Sequence, residues 1–300
     1  MEGNPVLRKL GLAPTDRAVI IHADDIGMCH ATLPAIEELF QAGLVSSASV
    51  MVPCPWFPAA ASFCHDHPDL DFGVHLTVTS EWMAYRWGPL STRDPATGLL
   101  DEDGYFFRTN AEVQARAKPS AVAAELAAQL DRALATGIDV THIDTHMGTV
   151  AHPRFLRAYV ALAVQHRLPL FLPRPAVAAA AAARRQALAH SEVEAVLFLV
   201  QELEARGVPL FDHFTALPLS DAAERIERAR RTFDALPPGL SLFILHPAQD
   251  TPELRAICPD WSARVADYQA FMSQELQRHV RAAGIHVIGY KVLQELVRAG

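Results

Sequence analysis

The stretch Ala18-Val-Ile-Ile-His22-Ala-Asp24-Asp25-Ile-Gly27-Met28 decides the fold, because an apolar run that ends in two adjacent carboxylates reads as a buried strand delivering acids to an opening. Neighbouring charges repel, so a paired acid at a strand end needs a cation or a proton-transfer task to justify it. Three further apolar runs end the same way. His75 closes Phe72-Gly-Val-His-Leu76, His142, Asp144 and His146 fall in Thr141-His-Ile-Asp-Thr-His146, and His246 closes Leu242-Phe-Ile-Leu-His246. Each run carries its polar residue at the same end.

Outward from these runs, short apolar segments alternate with amphipathic ones, the pattern of parallel strands joined by crossover helices. Strands are expected at 17–23, 46–52, 71–75, 139–144, 169–172, 208–211, 241–245 and 285–288. Helices are expected at 30–42, 56–67, 120–136, 153–166, 190–206, 220–235 and 262–283. In the third of these Val122, Leu126, Leu130 and Leu134 recur every four residues, Ser120 is placed to cap the start and Gly137 to end it. Seven or eight such units predict an α/β fold: a distorted or incomplete (β/α) TIM-like barrel of mostly parallel strands, read as a single domain over residues 1–300. Ligands then bind at the carboxyl ends of the strands.

Two regions break the rhythm. Residues 84–118 are too long and too rich in turn residues for an ordinary connection, and read as a loop insertion. Its Trp87, Tyr105, Phe106 and Phe107 either stack on a ligand or pack the loop onto its own body, and packing is favoured. The alanine-rich segment 176–189 reads as a helix or a mobile surface segment without a catalytic role.

Composition excludes several classes. The chain has 300 residues, 50% hydrophobic and 20% charged, enough to bury a large core, and its formal net charge of −8 leaves no basic footprint for nucleic acid. No apolar stretch approaches the roughly 20 residues that span a bilayer, and the start lacks the order of a secretion signal, so no membrane partner and a cytoplasmic location are expected. Cys29, Cys54, Cys64 and Cys258 show no CxxC pairing and are read as reduced thiols, with Cys29, close after the acid pair, as a small buried filler.

Alternate residues of a strand face one side, so His142, Asp144 and His146 project together. Imidazoles with a carboxylate suit zinc, iron, cobalt, nickel or manganese, and two histidines with one aspartate leave positions open for water and substrate. Of Asp24 and Asp25, one carboxylate binds such a cation and the other stays free to accept a proton; spacing alone does not say which.

His22-Ala-Asp-Asp-Ile-Gly27, Gly73-Val-His-Leu76, His142-Ile-Asp-Thr-His146 and Leu245-His-Pro247, in this order, resemble the four motifs of the YdjC-like carbohydrate deacetylase family. The resemblance runs from residue 17 to about 290. It implies a distorted barrel holding one divalent metal ion, magnesium or zinc, and hydrolysis that removes an N-acetyl group from an amino sugar or acetylated oligosaccharide. By motif, Asp25, His75 and His146 would be the metal ligands and Asp24 the general base. His246 would protonate the leaving amine or steady the oxyanion, while His142 and Asp144 would orient His146 and shape the wall. The chain departs from the better-known members at His22 and over Met147–His152, residues expected to line the sugar pocket. A metal-dependent amidase or esterase acting on a non-sugar substrate, and a protein that binds metal and glycan without turnover, are the rival readings. The family's habits and the Ala- and Leu-rich helices suggest a homodimer.

Overall fold

In the computed structural model, which describes residues 3–184 and 190–299, every named strand pairs in parallel with its neighbours. The strands are β1 (Arg17–Ile26), β2 (Ser47–Val50), β3 (Phe72–Leu76), β4 (Val140–Thr145), β5 (His213–Ala216), β6 (Gly239–Leu245) and β7 (Ile285–Val287). Their order is β4-β3-β2-β1-β6-β5, and β7 joins the foot of β1 through residues 17–19, on the edge that β2 uses higher up. Residues 170–173 bridge the gap between β4 and β5 with two isolated pairs, Ile143 to Leu170 and Pro173 to Phe211. The expected strand at 169–172 is therefore a partial seam, and the barrel is distorted as anticipated.

The interior is layered by residue type. Ala18, Ile20, Leu240 and Leu242 pack with Phe211 at the bottom, where Tyr290 and Leu293 of the last helix and Val6 and Leu7 of the first close the end. Above them His22, Ser47, Ser49, His142 and Asp144 form a buried polar layer. The alternate residues Val19, Ile21, Ala48, Val50, Phe72 and Val74 face outward into the larger core beneath the surrounding helices. Period-two alternation thus sorts one strand set into a polar lumen and an apolar coat.

Several expected elements shift, each for a local reason. The run 208–211 is apolar because Leu210 and Phe211 are buried, but the ladder with β6 forms one step later, at His213–Ala216. Apolar content marked burial there, not strand pairing. The helix expected at 262–283 is divided into Trp261–Met272 and Gln274–Ala282 by Ser273, whose side chain caps the second piece by accepting from Glu275 N. The helix Pro119–Ala135 starts at proline rather than under a Ser120 cap, and its Val122, Leu126 and Leu130 are buried while Leu134 is exposed. The alanine-rich segment opens as the helix Pro175–Arg184, and the rest of it, 185–189, lies outside the described residues.

The insertion at 84–118 contains the helix Asn110–Arg116 with a full capping box from Thr109 and Glu112. Trp87, Phe106 and Phe107 are buried in the core and pack the loop onto the body, while the exposed Tyr105 lies against Arg86 of the same loop.

Gly73 shows how tightly the lumen is filled. A Cβ at this position would fall 2.4 Å from His142 Nε2, whose ring stacks on Tyr290 at 3.7 Å and cannot retreat. Gly73→Ala is expected to cost about 1–3 kcal/mol through overpacking, a fall of roughly 2–10 °C in the calorimetric melting temperature. An unchanged melting temperature would show that His142 moves aside freely.

Candidate metal centre

Both acids of the first motif reach the lumen because β1 ends irregularly. Its register with β2 slips between Ala23 and Ile26, and Asp25 adopts φ +66, a left-handed conformation rare for a residue with a side chain. The slip turns Asp25 to the side that Asp24 already faces. Gly27, at φ +82, completes the turn against Ala60 and Phe57, where a side chain has no room.

Three donor atoms then converge. His146 Nδ1 lies 3.1 Å from Asp25 Oδ1, His75 Nε2 lies 3.3 Å from the same oxygen, and the two ring nitrogens are 3.3 Å apart. A tetrahedral ion with bonds of about 2.0–2.1 Å has ligand edges of roughly 3.3 Å, so the spacing fits a cation. The far nitrogens are fixed as a metal site requires: His75 Nδ1 donates to Asp144 Oδ1 at 2.8 Å, and His146 Nε2 donates to Glu81 Oε2 at 3.1 Å. Each carboxylate selects the tautomer whose lone pair faces Asp25.

The expectation that Asp144 and His142 orient His146 is corrected here. Asp144 pairs in register with His75 across the β3–β4 ladder, so it holds His75, and its Oδ2 accepts from His22 Nε2 at 2.9 Å and from Ser49 Oγ at 2.9 Å. His142 sits a layer lower, between Tyr290, Thr141 Oγ1 and Asp71, and its Nε2 is buried without a partner against Gly73. His146 lies past the end of β4, where the chain has turned, and Glu81 is what reaches it. His22, His142 and Asp144 also gather closely enough to suggest a second ion, but both nitrogens of His22 are engaged by Ser47, Ser49 and Asp144.

Two residues beyond the sequence reading complete the centre. Arg264, 2% exposed, donates from Nη1 to Asp25 Oδ2 at 2.7 Å and from Nε to Asp260 at 3.1 Å, with Trp82 5.5 Å from the guanidinium carbon. Burial disfavours the carboxylate of Asp25, but Arg264 and His146 outweigh it and hold its pKa well below the usual range. Arg264 occupies one oxygen and leaves the other for the imidazole pair. Its sequence signal, Asp260 four residues before Arg264 on a helix, reads as an ordinary surface ion pair. Glu81, six residues past His75, stands in an unpatterned loop.

Asp24 stays apart from the triad. Its Oδ1 is buried, 3.1 Å from His22 Nε2 but without a hydrogen bond, and its Oδ2 lies 3.7 Å from His246 Nε2 and 3.8 Å from His75 Nε2. His246, at the end of β6, donates its backbone N–H to Asp267 Oδ2 at 3.0 Å, and Arg225 braces Asp267 Oδ1 at 2.7 Å. The ring of His246 is not tied to a loop carbonyl: Nδ1 is buried without a partner, and the side chain is 18% exposed. Asp24, Asp25, His75, Glu81, His146, His246 and Arg264 border a cleft of about 630 Å³ above the barrel, with Trp82, Met147, Leu219, Ser220 and Pro259 on its walls. Such a volume suits a small ligand or a sugar unit. Cys29 is buried and absent from this lining.

A model of YdjC-like proteins matches residues 18–282. A carbohydrate deacetylase of Thermus thermophilus is 32% identical over 304 aligned residues, covering 97% of this chain and 98% of that one. Another carbohydrate deacetylase, from Thermoanaerobacter pseudethanolicus, is 22% identical, covering 92% and 99%. A crystal structure from Enterococcus faecalis V583, of a protein provisionally named for cellobiose-phosphate cleavage, superposes with a TM-score of 0.74 at 25% identity, covering 93% of this chain and 99% of that one. With a family model spanning most of its length and a relative aligned from end to end, the chain belongs to the YdjC-like protein family.

Proposed function

We propose that this protein is a metal-dependent carbohydrate deacetylase, hydrolysing the N-acetyl amide of an amino sugar. One observation carries the reading: two imidazoles, each fixed from behind by a carboxylate, face Asp25 at metal-ligand spacing, while the carboxylate Asp24, outside this triad, and the ring of His246 lie beside them in an open cleft. Two relatives that align along nearly their whole length carry the name carbohydrate deacetylase, which supports an acetylated sugar as substrate.

Asp25, His75 and His146 are the residues that would hold one divalent cation, and two nitrogens with one oxygen favour zinc or a similar ion over magnesium. When bound, the cation polarises the acyl carbonyl and acidifies water. Asp24 accepts the proton from the attacking water, the role for which a carboxylate beside the donors, but not among them, is suited. His246 Nε2, 3.7 Å from Asp24 Oδ2, delivers a proton to the departing nitrogen. Asp267 and Arg225 hold the strand end that carries His246, and Arg264 keeps Asp25 presented by one oxygen. Cytoplasmic action is part of the proposal, supported by the four unpaired buried thiols; no helix among the described residues is long and apolar enough to cross a membrane.

Alanine at Asp25, His75 or His146 is expected to abolish stoichiometric metal by elemental analysis, whereas Asp24→Asn should keep the metal and lose about 10²–10⁴-fold in kcat for acetate release. Full activity in Asp24→Asn would dismiss it as the base. His246→Ala should lower kcat with little change in KM; an effect confined to KM would contradict the acid role.

The metal-free protein should also show a defined pH dependence. Burial opposes the charged form of His146, yet Glu81 and Asp25 push it up to about 9, and Asp144 and Asp24 likewise bring His22 to about 9 against its own burial. A pKa raised on folding contributes stability that is fully present below the unfolded value near 6.5 and is lost as pH rises through about 9. After chelation, the melting temperature should therefore fall from pH 6.5 to 9. Zinc affinity should rise across the same window, because the cation displaces the proton of its ligand His146. A flat melting profile together with pH-independent zinc binding would refute this account.

A further inference from the structure

Directly after His146 the backbone takes a conformation that suits glycine. Met147 has φ +53 and Gly148 φ +66, and a left-handed backbone is unfavourable for any residue bearing a Cβ. The turn is firmly held. Asn110 of the insertion donates from Nδ2 to Met147 O at 2.8 Å and accepts from Thr149 Oγ1 at 2.5 Å, and Thr79 Oγ1 donates to Met147 Sδ at 3.5 Å. Yet the methionine side chain is not packed away: it is 47% exposed and borders the cleft beside His146, Glu81 and Trp82. Core packing does not explain an apolar side chain left half in water, and the turn itself would be better served by a second glycine. Strain retained beside a reaction centre points to use of the side chain there.

We infer that Met147, together with Trp82, forms the wall that receives the acyl methyl group and limits the length of acyl chain the enzyme accepts. The inference rests on the deacetylase reading above. The reacting carbon of an N-acetyl group carries three substituents: oxygen, nitrogen and methyl. With the oxygen over Asp25, His75 and His146 and the nitrogen turned to His246 at the end of β6, the methyl is directed to the side of the cleft away from His246. In the barrel order that side carries β4, whose end bears Met147. A methyl is the one apolar group a single bond from the reacting carbon, and a thioether and an indole are apolar partners for it.

The test compares N-acetyl, N-propionyl and N-butyryl derivatives of glucosamine and its dimer as substrates of the zinc-loaded wild type, Met147→Ala and Met147→Gly, with metal content and melting temperature measured alongside. Both variants should raise the N-butyryl to N-acetyl ratio of kcat/KM by about 10-fold or more, the usual discrimination of an apolar pocket by one or two methylenes. Metal content should stay stoichiometric, and the melting temperature of Met147→Gly should hold or rise by a few degrees as the strained residue is removed. A ratio within twofold of wild type in both variants overturns the inference. So does a lowered melting temperature in Met147→Gly, which would make the side chain a packing element. Wild type that releases no carboxylate from any of these amides overturns the deacetylase reading, and this inference with it.

Discussion

The buried ion pair between Arg264 and Asp25 is the contact on which the rest of the centre depends. Asp24, Asp25, Asp144 and Glu81 crowd four carboxylates around two imidazoles at the mouth of a barrel, and little water reaches Asp25 or Asp144 to screen them. Charges of one sign in such a place are tolerated only if opposite charge is built in. Arg264, drawn from a helix 239 residues along the chain, supplies a permanent cation, and His22 and His146 supply titratable ones. The pair also has a geometric consequence: by engaging Oδ2 it fixes the carboxylate plane, so that Oδ1 meets both rings.

The barrel serves this centre as a graded column. Apolar side chains and the Tyr290 plug seal its foot, a hydrogen-bonded layer of serine, histidine and aspartate fills its middle, and Asp24, Asp25, His75, His146 and His246 border the cleft at the open end. The middle layer is more than filler, because Asp144 spans from His22 to His75 and transmits the position of the lumen to a donor at its mouth. Rigidity below permits strain above. Two non-glycine residues with positive φ stand at this end, the donor Asp25 and Met147 next to the donor His146, held there by Arg264 and by Asn110.

The family relationship and the site geometry bear on the chain independently. The YdjC-like match and the end-to-end relative identify the family without reference to any distance, while the donor spacing and the imidazole partners would mark a cation site in a chain without relatives. The insertion contributes in a way that its aromatic composition did not suggest: it reaches the centre through Asn110, which clamps the turn after His146, while its Trp87, Phe106 and Phe107 belong to the core.

Much of the fold, and the strand-end residues that the structure gathers around one cleft, were legible in the sequence, for a physical reason. Alternation along a strand and the abrupt change from apolar to acidic or imidazole residues at strand ends are local patterns, so β1, β3, β4 and β6 and the residues Asp24, Asp25, His75, His146 and His246 could be read from short windows. Local pattern was silent where position comes from distant chain. Arg264 and Glu81 carry no periodic signal, and their roles arise only when the helix Trp261–Met272 and the loop after β3 close over β1 and β4. Asp144 was assigned the neighbour closest in sequence, His146, whereas the parallel register gave it His75, because across a ladder the side chains that meet belong to different strands. The sequence by itself determined which chemistry the strand ends carry; the tertiary structure decided which atoms face one another, since that depends on register, on a slipped strand end and on a buried charge brought from far along the chain.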